Sequence, residues 1–175
     1  MEDREVEEFF GRIEACPKGD RDRKIYADRA TMELVRHSVA EEAHLYPAVR
    51  EYLAHGDELA DKETEDHSEA EQIMKDLERH GADDPEFDRL IGALMSEIRA
   101  HIAEEEEILF PMLSSACTPE TLNDLGDTVR RAKKVAPTRP HPSAPDTPPA
   151  DKFVAPGLGP VDRLRDTLTG RGKQD

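Results

Sequence analysis

A motif with one histidine and two glutamates occurs twice in this chain, and each copy ends in a leucine, an aromatic residue and a proline. The first copy spans residues 37–47 and the second residues 101–111, so the copies lie 64 residues apart. In each copy the histidine and the first glutamate are four residues apart, which on a helix places them on one face with Cβ atoms roughly 5–6 Å apart. Two such pairs facing each other across a helical bundle predict a polynuclear metal site.

The candidate ligands are three imidazoles and two carboxylates: His37, Glu41, His67, His101 and Glu105. This donor set, which lacks a thiolate, suits iron, manganese or zinc and argues against copper(I) or an iron–sulfur cluster. Each glutamate has two oxygens, so the two carboxylates could bridge two ions and leave the imidazoles as terminal ligands. Open positions on a redox metal would bind dioxygen or peroxide. For either pair alone, a buried histidine–glutamate hydrogen bond or a solvent-facing pair is the alternative; the recurrence of the motif favours a metal.

Hydrophobic periodicity predicts four long helices and a shorter fifth one, at about residues 2–16, 21–54, 57–79, 85–114 and 119–134. Short loops between them favour an all-α, up-down-up-down four-helix bundle. Pro47 and Pro111 are expected to kink or end their helices. The core-facing seam predicted for the fourth helix is Ile91, Leu94, Ile98, His101, Glu105, Ile108 and Met112. The matching seam of the second helix is Ala30, Leu34, His37, Glu41, His44 and Ala48. Polar members of such a seam are costly to bury unless they are paired or bind something.

The 64-residue offset extends beyond the two motifs and pairs His67 on the third helix with Asp3 on the first. The chain therefore resembles a duplicated helical hairpin, in which each half carries one ligand position on its first helix and a histidine–glutamate pair on its second. Asp3 has a short side chain and lies at a helix start, where fraying is common. Direct ligation, a water-bridged contact and no role at all stay open for this residue.

The composition excludes several classes of partner. With 24 basic and 40 acidic residues the chain has a formal charge of −16, which argues against nucleic acid and anionic membranes as partners. No apolar run approaches the ~20 residues of a membrane span, and the first residues do not read as a secretory signal. Cys16 and Cys117 form no zinc or redox pattern and are expected to be reduced thiols. We therefore expect a cytoplasmic protein that is a monomer or a weak homo-oligomer.

The composition changes after residue 134, which divides the chain into a bundle with an appended helix (1–134) and an arm (135–175). Eight prolines fall between residues 137 and 160 and predict an extended arm of polyproline-II type. A last amphipathic segment containing Val161, Leu164 and Leu168 predicts a short helix. That helix is expected to dock on the acidic bundle or on a partner.

The paired H-x3-E-E-x2-L-(Y/F)-P motifs, together with the lone His67, resemble those of the hemerythrin-like HHE cation-binding proteins. The resemblance covers about residues 1–134, and the proline-rich stretch 135–149 resembles the C-terminal extension of actinobacterial members. It implies a four-helix bundle with a non-heme di-iron centre, bridged by Glu41 and Glu105, with an oxo bridge as a further option. It also implies that His37, His67 and His101 are terminal ligands. Members normally carry a histidine where this chain has Asp3, so the ligand set departs from the family there.

Other polar residues near the motifs have weaker assignments. Glu71 lies four residues after the third-helix histidine, and we expect it in solvent or in a hydrogen bond to a ligand rather than on a metal. His44 follows Glu41 by three residues, and we expect it in a hydrogen bond to a ligand rather than on a metal. Glu42 and Glu106 recur in both motifs and are expected in solvent or against N–H groups of ligand histidines.

Three functions are consistent with these residues. The first is a di-iron protein that interacts with O2, peroxide or nitric oxide as a carrier, sensor or store. The second is an enzyme with catalase- or peroxidase-like activity toward hydrogen peroxide. The third is a metal-poor bundle that serves protein contacts through its proline arm. A carboxylate in place of a neutral imidazole adds negative charge and favours ferric iron, so redox protection or sensing under oxidative stress is favoured over oxygen transport.

Overall fold

The structure, a computed structural model, describes the backbone of residues 3–140 and the side chains of residues 4–140. The predicted amphipathic segment, most of the predicted arm and the side chain of Asp3 lie outside the described residues. The helical elements are α1 (Asp3–Ala15), α2 (Arg21–Ala40), a first π turn (Glu41–Leu45), α3 (Tyr46–Tyr52), α4 (Gly56–Leu77), α5 (Pro85–Glu104), a second π turn (Glu105–Leu109), α6 (Phe110–Ala116) and α7 (Pro119–Lys133).

Four helical rods form the bundle. The first rod is α1; the second is α2, which continues through the first π turn into α3; the third is α4; and the fourth is α5, which continues through the second π turn into α6. Short connections join successive rods, so neighbouring rods run antiparallel. The fifth predicted helix, α7, packs against α2 and the first π turn. The predicted all-α fold class is confirmed.

The start of α4 lies tightly against α3. His55 adopts a left-handed backbone conformation (φ 60°), and α4 begins at the next residue, Gly56. A Cβ atom on Gly56 would lie 2.2 Å from the carbonyl oxygen of Val49, so only glycine permits this approach. The contact fixes α4, which carries Glu63 and His67, against the second rod.

The second π turn changes which face of the fourth rod points inward. A π turn contains one more residue than an α turn, so the buried positions after it move by one. Leu109 and Leu113 are almost fully buried (1% and 2% exposed), whereas Ile108 is 49% exposed. The seam predicted through Ile108 and Met112 is therefore wrong beyond Glu105, because the sequence pattern assumed an uninterrupted α-helix.

The first π turn has the same effect on the second rod. Leu45 and Val49 are buried, while His44 and Ala48, predicted on the seam, are only partly buried. The backbone N–H of Tyr46 donates to the carbonyl of Glu41, five residues earlier, as a π turn requires.

Neither motif proline ends its rod. Pro47 and Pro111 are the second residues of α3 and α6, which continue to Tyr52 and Ala116. A proline lacks an N–H and its ring clashes with the carbonyl four residues back in a regular α-helix. The π turn that immediately precedes each proline already replaces the regular hydrogen-bonding pattern there, so the helix can continue.

The core consists of two apolar clusters with a polar layer between them. The larger cluster includes Leu34 and Ile98, and the smaller one includes Leu45 and Leu109. On the second and fourth rods the motif histidines and glutamates lie between these residues. The same order holds on α4, where Glu63 and His67 lie between Ala60 of the smaller cluster and Ala70 of the larger one. A buried polar layer therefore crosses three of the four rods at one level.

Two further expectations concern the surface and the thiols. Across residues 3–140 none of the helices combines the length and apolarity that a bilayer crossing demands. Cys16 and Cys117 are both free and partly buried.

Candidate metal centre

The five side chains predicted as ligands converge in the polar layer. Ligand atoms of Glu41, His67 and His101 lie within 4.8 Å of one another, and those of His37, Glu41 and Glu105 do the same. Four of these side chains are buried, and that of His37 is 15% exposed. Glu41 belongs to both triads, so its carboxylate lies where the two groups of donors meet.

The His67 ring has a different partner on each nitrogen. Its Nδ1 lies 3.0 Å from Oε1 of Glu42, and because an ionised carboxylate only accepts hydrogen bonds, Nδ1 carries the proton and donates it. Its Nε2 then presents a lone pair to the interior, 3.0 Å from the hydroxyl of Tyr46 and 3.1 Å from Nε2 of His101. The same Nε2 lies 3.6 Å from Oε2 of Glu41.

The His101 ring has similar neighbours, although its Nδ1 makes no aligned hydrogen bond within residues 4–140. Its Nδ1 lies 3.0 Å from Oε2 of Glu63, which is 1% exposed, and 3.9 Å from Oδ2 of Asp66. Its Nε2 lies 3.7 Å from Oε1 of Glu105. In both rings a carboxylate lies against the outer nitrogen and the inner nitrogen faces the shared interior. Carboxylates in this position fix the orientation of histidines that bind metals.

Two residues of this site, Glu63 and Tyr46, do not appear among the sequence predictions. Glu63 precedes His67 by four residues on α4, a spacing that places both on one helical face. This spacing could have indicated Glu63 from the sequence. It was not sufficient, because α4 carries many other acidic residues. Tyr46 occupies the aromatic position of the first motif, whose equivalent in the second, Phe110, is 37% exposed.

The protonation states suit metal binding. Burial lowers the pKa of His67 well below its ordinary value, and the neighbouring His101 and His37 lower it further. The ring is therefore neutral near pH 7 and its inner lone pair is available. Burial raises the pKa of Tyr46 well above its ordinary value, with the carboxylate of Glu41 adding to the effect. The phenol therefore keeps its proton and can donate a hydrogen bond.

Buried negative charge exceeds buried positive charge in this layer. Three glutamates are almost fully buried here: Glu41, Glu63 and Glu105 are 3%, 1% and 2% exposed. Lys133, from α7, is 8% exposed and lines a small cavity next to the histidines, but one ammonium does not balance three carboxylates. Buried carboxylates are costly unless a cation compensates them. The layer thus has the charge of a cation site.

The contacts of Glu41 point in the same direction. Its Oε2 makes no hydrogen bond within the described part of the chain, although Nε2 of His37 lies 3.0 Å away and Nε2 of His67 lies 3.6 Å away. These atoms are close without the alignment of donor and acceptor, as expected where lone pairs converge on a common point. A cavity of about 10 Å³, lined by His37, His67 and His101 among others, lies next to them and is about the size of one water molecule. The residues present therefore fit a bound cation.

The remaining polar candidates take different positions. For Glu42 and Glu106 the sequence predicted either exposure to solvent or a contact with a ligand histidine. Glu42 contacts His67, and Glu106 is exposed. Glu71 and His44 are partly buried and belong to none of the ligand groups found among residues 4–140. Asp3 is the first residue of α1, and its role stays a prediction.

Comparisons with known proteins point to one family. The model of the hemerythrin HHE cation binding domain matches residues 1–113, which include every predicted ligand and exclude α7. An uncharacterized hemerythrin-like protein of Schizosaccharomyces pombe is 34% identical over 137 residues, or 78% of this chain and 68% of that protein. A DNA nickase of a Nostoc species is 27% identical over 130 residues, or 73% of this chain but 31% of that protein.

A solved structure shares the fold. The crystal structure of a hemerythrin HHE cation binding domain-containing protein from Mycobacterium kansasii superposes with a TM-score of 0.63. The match covers 74% of this chain and 78% of that one at 20% sequence identity. At this identity the likeness concerns the arrangement of the helices.

Proposed function

The chain belongs to the hemerythrin HHE cation-binding family, and on that premise we propose that it is a non-heme di-iron protein that interacts with O2, peroxide or nitric oxide. The imidazoles of His37, His67 and His101 would be terminal ligands, and the carboxylates of Glu41 and Glu105 would bridge. Glu41 belongs to both groups of three ligand residues, and this observation supports two ions rather than one.

Two bound irons would supply open coordination positions and one-electron redox chemistry. The chain's own residues would hold and shape the site. Glu42 would orient the imidazole of His67, Glu63 lies against that of His101, and an apolar cluster flanks the layer on either side. The excess of buried carboxylate favours the more highly charged ferric state. We therefore favour sensing or redox protection over reversible oxygen transport.

The alternative is an enzyme that disproportionates or reduces hydrogen peroxide. It is supported by Tyr46, whose hydroxyl lies 3.0 Å from Nε2 of His67 and keeps its proton, so that a proton donor faces the candidate ligands. Oxygen release after addition of peroxide to the iron-loaded protein would favour this alternative. Oxidation of the iron without turnover would favour the sensor or store.

Iron titration of the metal-free full chain tests the proposal. We expect two irons per chain, and we expect Glu41→Ala and Glu105→Ala each to lose metal. Glu106→Ala is a matched control, since it removes the exposed neighbour of Glu105 in the same motif. A wild-type chain that binds no iron would leave the metal-poor interaction bundle as the better description, and one iron per chain would contradict the bridged pair.

The first helix provides a separate test. Asp3→His restores the residue that family members normally carry, and we expect it to raise iron affinity. An unchanged affinity and an unchanged optical spectrum would mean that this position does not reach the metal. We further propose a cytoplasmic monomer or weak homo-oligomer; the two free thiols support the location.

A further inference from the structure

A cavity of about 350 Å³ lies between α7 and the bundle. Its wall is mostly apolar and comes from the first π turn, the end of the fourth rod and α7: Leu45, Phe110, Leu113, Leu122, Leu125 and Val129. His37 and Glu41 also line it, so the cavity reaches the candidate metal centre. A diatomic molecule needs about the volume of one water, roughly 30 Å³. The cavity is closer in size to pockets that hold organic ligands, which begin at roughly 300 Å³.

The wall contributed by α7 contains a glycine in mid-helix. Gly126 lines the cavity, although glycine in a helix interior is destabilising relative to alanine. A Cβ atom at this position would lie 3.3 Å from Nη1 of Arg130, which is closer than an ordinary contact. Gly126 therefore leaves space both for the guanidinium of Arg130 and for the cavity. α7 lies beyond residues 1–113, the part of the chain that matches the family model.

Positive charge is concentrated beside the cavity. Arg130 lines it and also lines an adjoining polar depression, where it is joined by four more cations: Arg36, Arg131, Lys133 and Lys134. Two carboxylates, Glu33 and Asp127, lie in the same depression. The cations outnumber them on a chain whose net charge is −16. The ion pair of Arg130 with Asp127 is exposed, and exposed pairs contribute little, so Arg130 can interact with an anionic ligand.

We propose that this cavity binds an amphipathic organic anion, namely a carboxylate with an unbranched apolar chain of roughly ten carbons. Arg130 interacts with the carboxylate at the basic depression, and the apolar chain lies between α7 and the bundle. His37 lies near the basic depression, since it shares the small cavity with Lys133, so the far end of the chain lies toward Leu113 and Leu122. Binding depends on apolar volume and on one guanidinium, so it is expected with or without iron and is independent of the di-iron proposal.

Calorimetric titration of decanoate into the metal-free full chain tests the cavity. We expect one site per chain, and we expect Gly126→Leu, which fills the cavity, to weaken binding at least tenfold. Gly92→Leu is the matched control, because Gly92 is also in mid-helix, on α5, but is exposed with nothing within 4 Å of an added Cβ. Binding that is absent in the wild type, or equal in the two variants, would overturn the proposal.

The role of Arg130 is tested separately. Arg130→Gln should weaken decanoate binding several-fold and leave the binding of the neutral decanol unchanged. Arg79→Gln is the control, since Arg79 forms a similarly exposed ion pair three residues from its aspartate at another place on the chain. Equal effects of the two arginine variants would contradict the proposed contact with the carboxylate. Sedimentation at the same concentrations supplies one more outcome, because a dimer that excludes decanoate would assign the cavity to a second copy of the chain and overturn the proposal.

Discussion

The carboxylate of Glu63 lies 3.0 Å from Nδ1 of His101, and both side chains are almost fully buried. Glu63 is on α4 and His101 is on α5, so the contact joins two rods at the level of the candidate ligands. Glu42 makes the corresponding contact with His67, also at 3.0 Å. In both rings a carboxylate from a different rod thus lies against the outer nitrogen; the contact of His67 is a hydrogen bond, whereas Glu63 and His101 are close without aligned donor and acceptor.

Replacing Glu63 with glutamine should weaken iron binding roughly 10–100-fold, because it replaces the carboxylate behind a ligand histidine with an uncharged, weaker acceptor. Glutamine has nearly the same shape, so the helical content should not change. Competition against a chelator of known affinity measures the effect. Glu58→Gln, at an exposed position on the same helix, is the control and should bind iron like the wild type. Equal affinities for the two variants would mean that Glu63 does not support His101 as a ligand.

The repeat provides a matched pair of variants at Glu42 and Glu106. The two residues are equivalent in the motifs, but Glu42 contacts His67 and Glu106 is exposed. We expect Glu42→Gln to weaken iron binding roughly 10–100-fold and Glu106→Gln to leave it unchanged. The same chelator competition measures both. A loss of affinity in both variants would indicate a general effect of net charge rather than a contact with His67.

The sequence was sufficient for the bundle and for the convergence of the five side chains, because both follow from helical spacing and from a repeat. It did not reveal the π turn of the fourth rod, because Ile108 and Met112 continue the regular apolar spacing and mask the one-residue shift to Leu109 and Leu113. The error appeared only after Glu41 and Glu105, where Leu45 and Leu109 replaced the predicted seam residues.

The internal repeat also predicted more symmetry than the chain has. Tyr46 lies beside His67 in the interior, whereas its equivalent Phe110 lies at the wall of the outer cavity and is 37% exposed. The packing of α7 is also unsymmetrical, since it lies mainly against α2 and the first π turn. The repeat predicts that the two hairpins have similar structures. It does not predict which of them α7 covers.

The shift at the second π turn has a measurable consequence for stability. Leu109→Ala should lower the free energy of unfolding of the metal-free chain by about 2–5 kcal/mol, because it leaves a cavity in the smaller apolar cluster. Ile108→Ala should change it by less than about 0.5 kcal/mol, because Ile108 is largely exposed. Urea unfolding measures both. The opposite order would mean that the fourth rod is a regular α-helix at this point.

The ion pair at Asp88 should make stability depend on pH in the acid range. Arg23 and Lys18 contact the two oxygens of Asp88, and the guanidinium of Arg23 also donates to the carbonyl of Ile13 (3.4 Å). Hydrogen bonding to Arg23, and then to Lys18, holds the pKa of Asp88 below its ordinary value. A carboxyl with a lowered pKa in the folded state stabilises the fold fully above its unfolded pKa of about 3.9, and that contribution is lost as the pH falls through the folded value.

Asp88→Asn should therefore lower the free energy of unfolding at pH 7 by roughly 1–2 kcal/mol, less than for a fully buried pair because Asp88 still reaches water. Below the folded pKa of Asp88 the wild type and the variant should differ much less, because protonation has already removed the charge in the wild type. Urea unfolding of the metal-free chain at pH 7 and at the lowest pH at which both chains still fold measures the change. Asp76→Asn, which breaks a more exposed pair with Arg79, should have little effect at either pH. A difference between wild type and Asp88→Asn that does not shrink as the pH falls would assign the loss to packing rather than to the charge of Asp88.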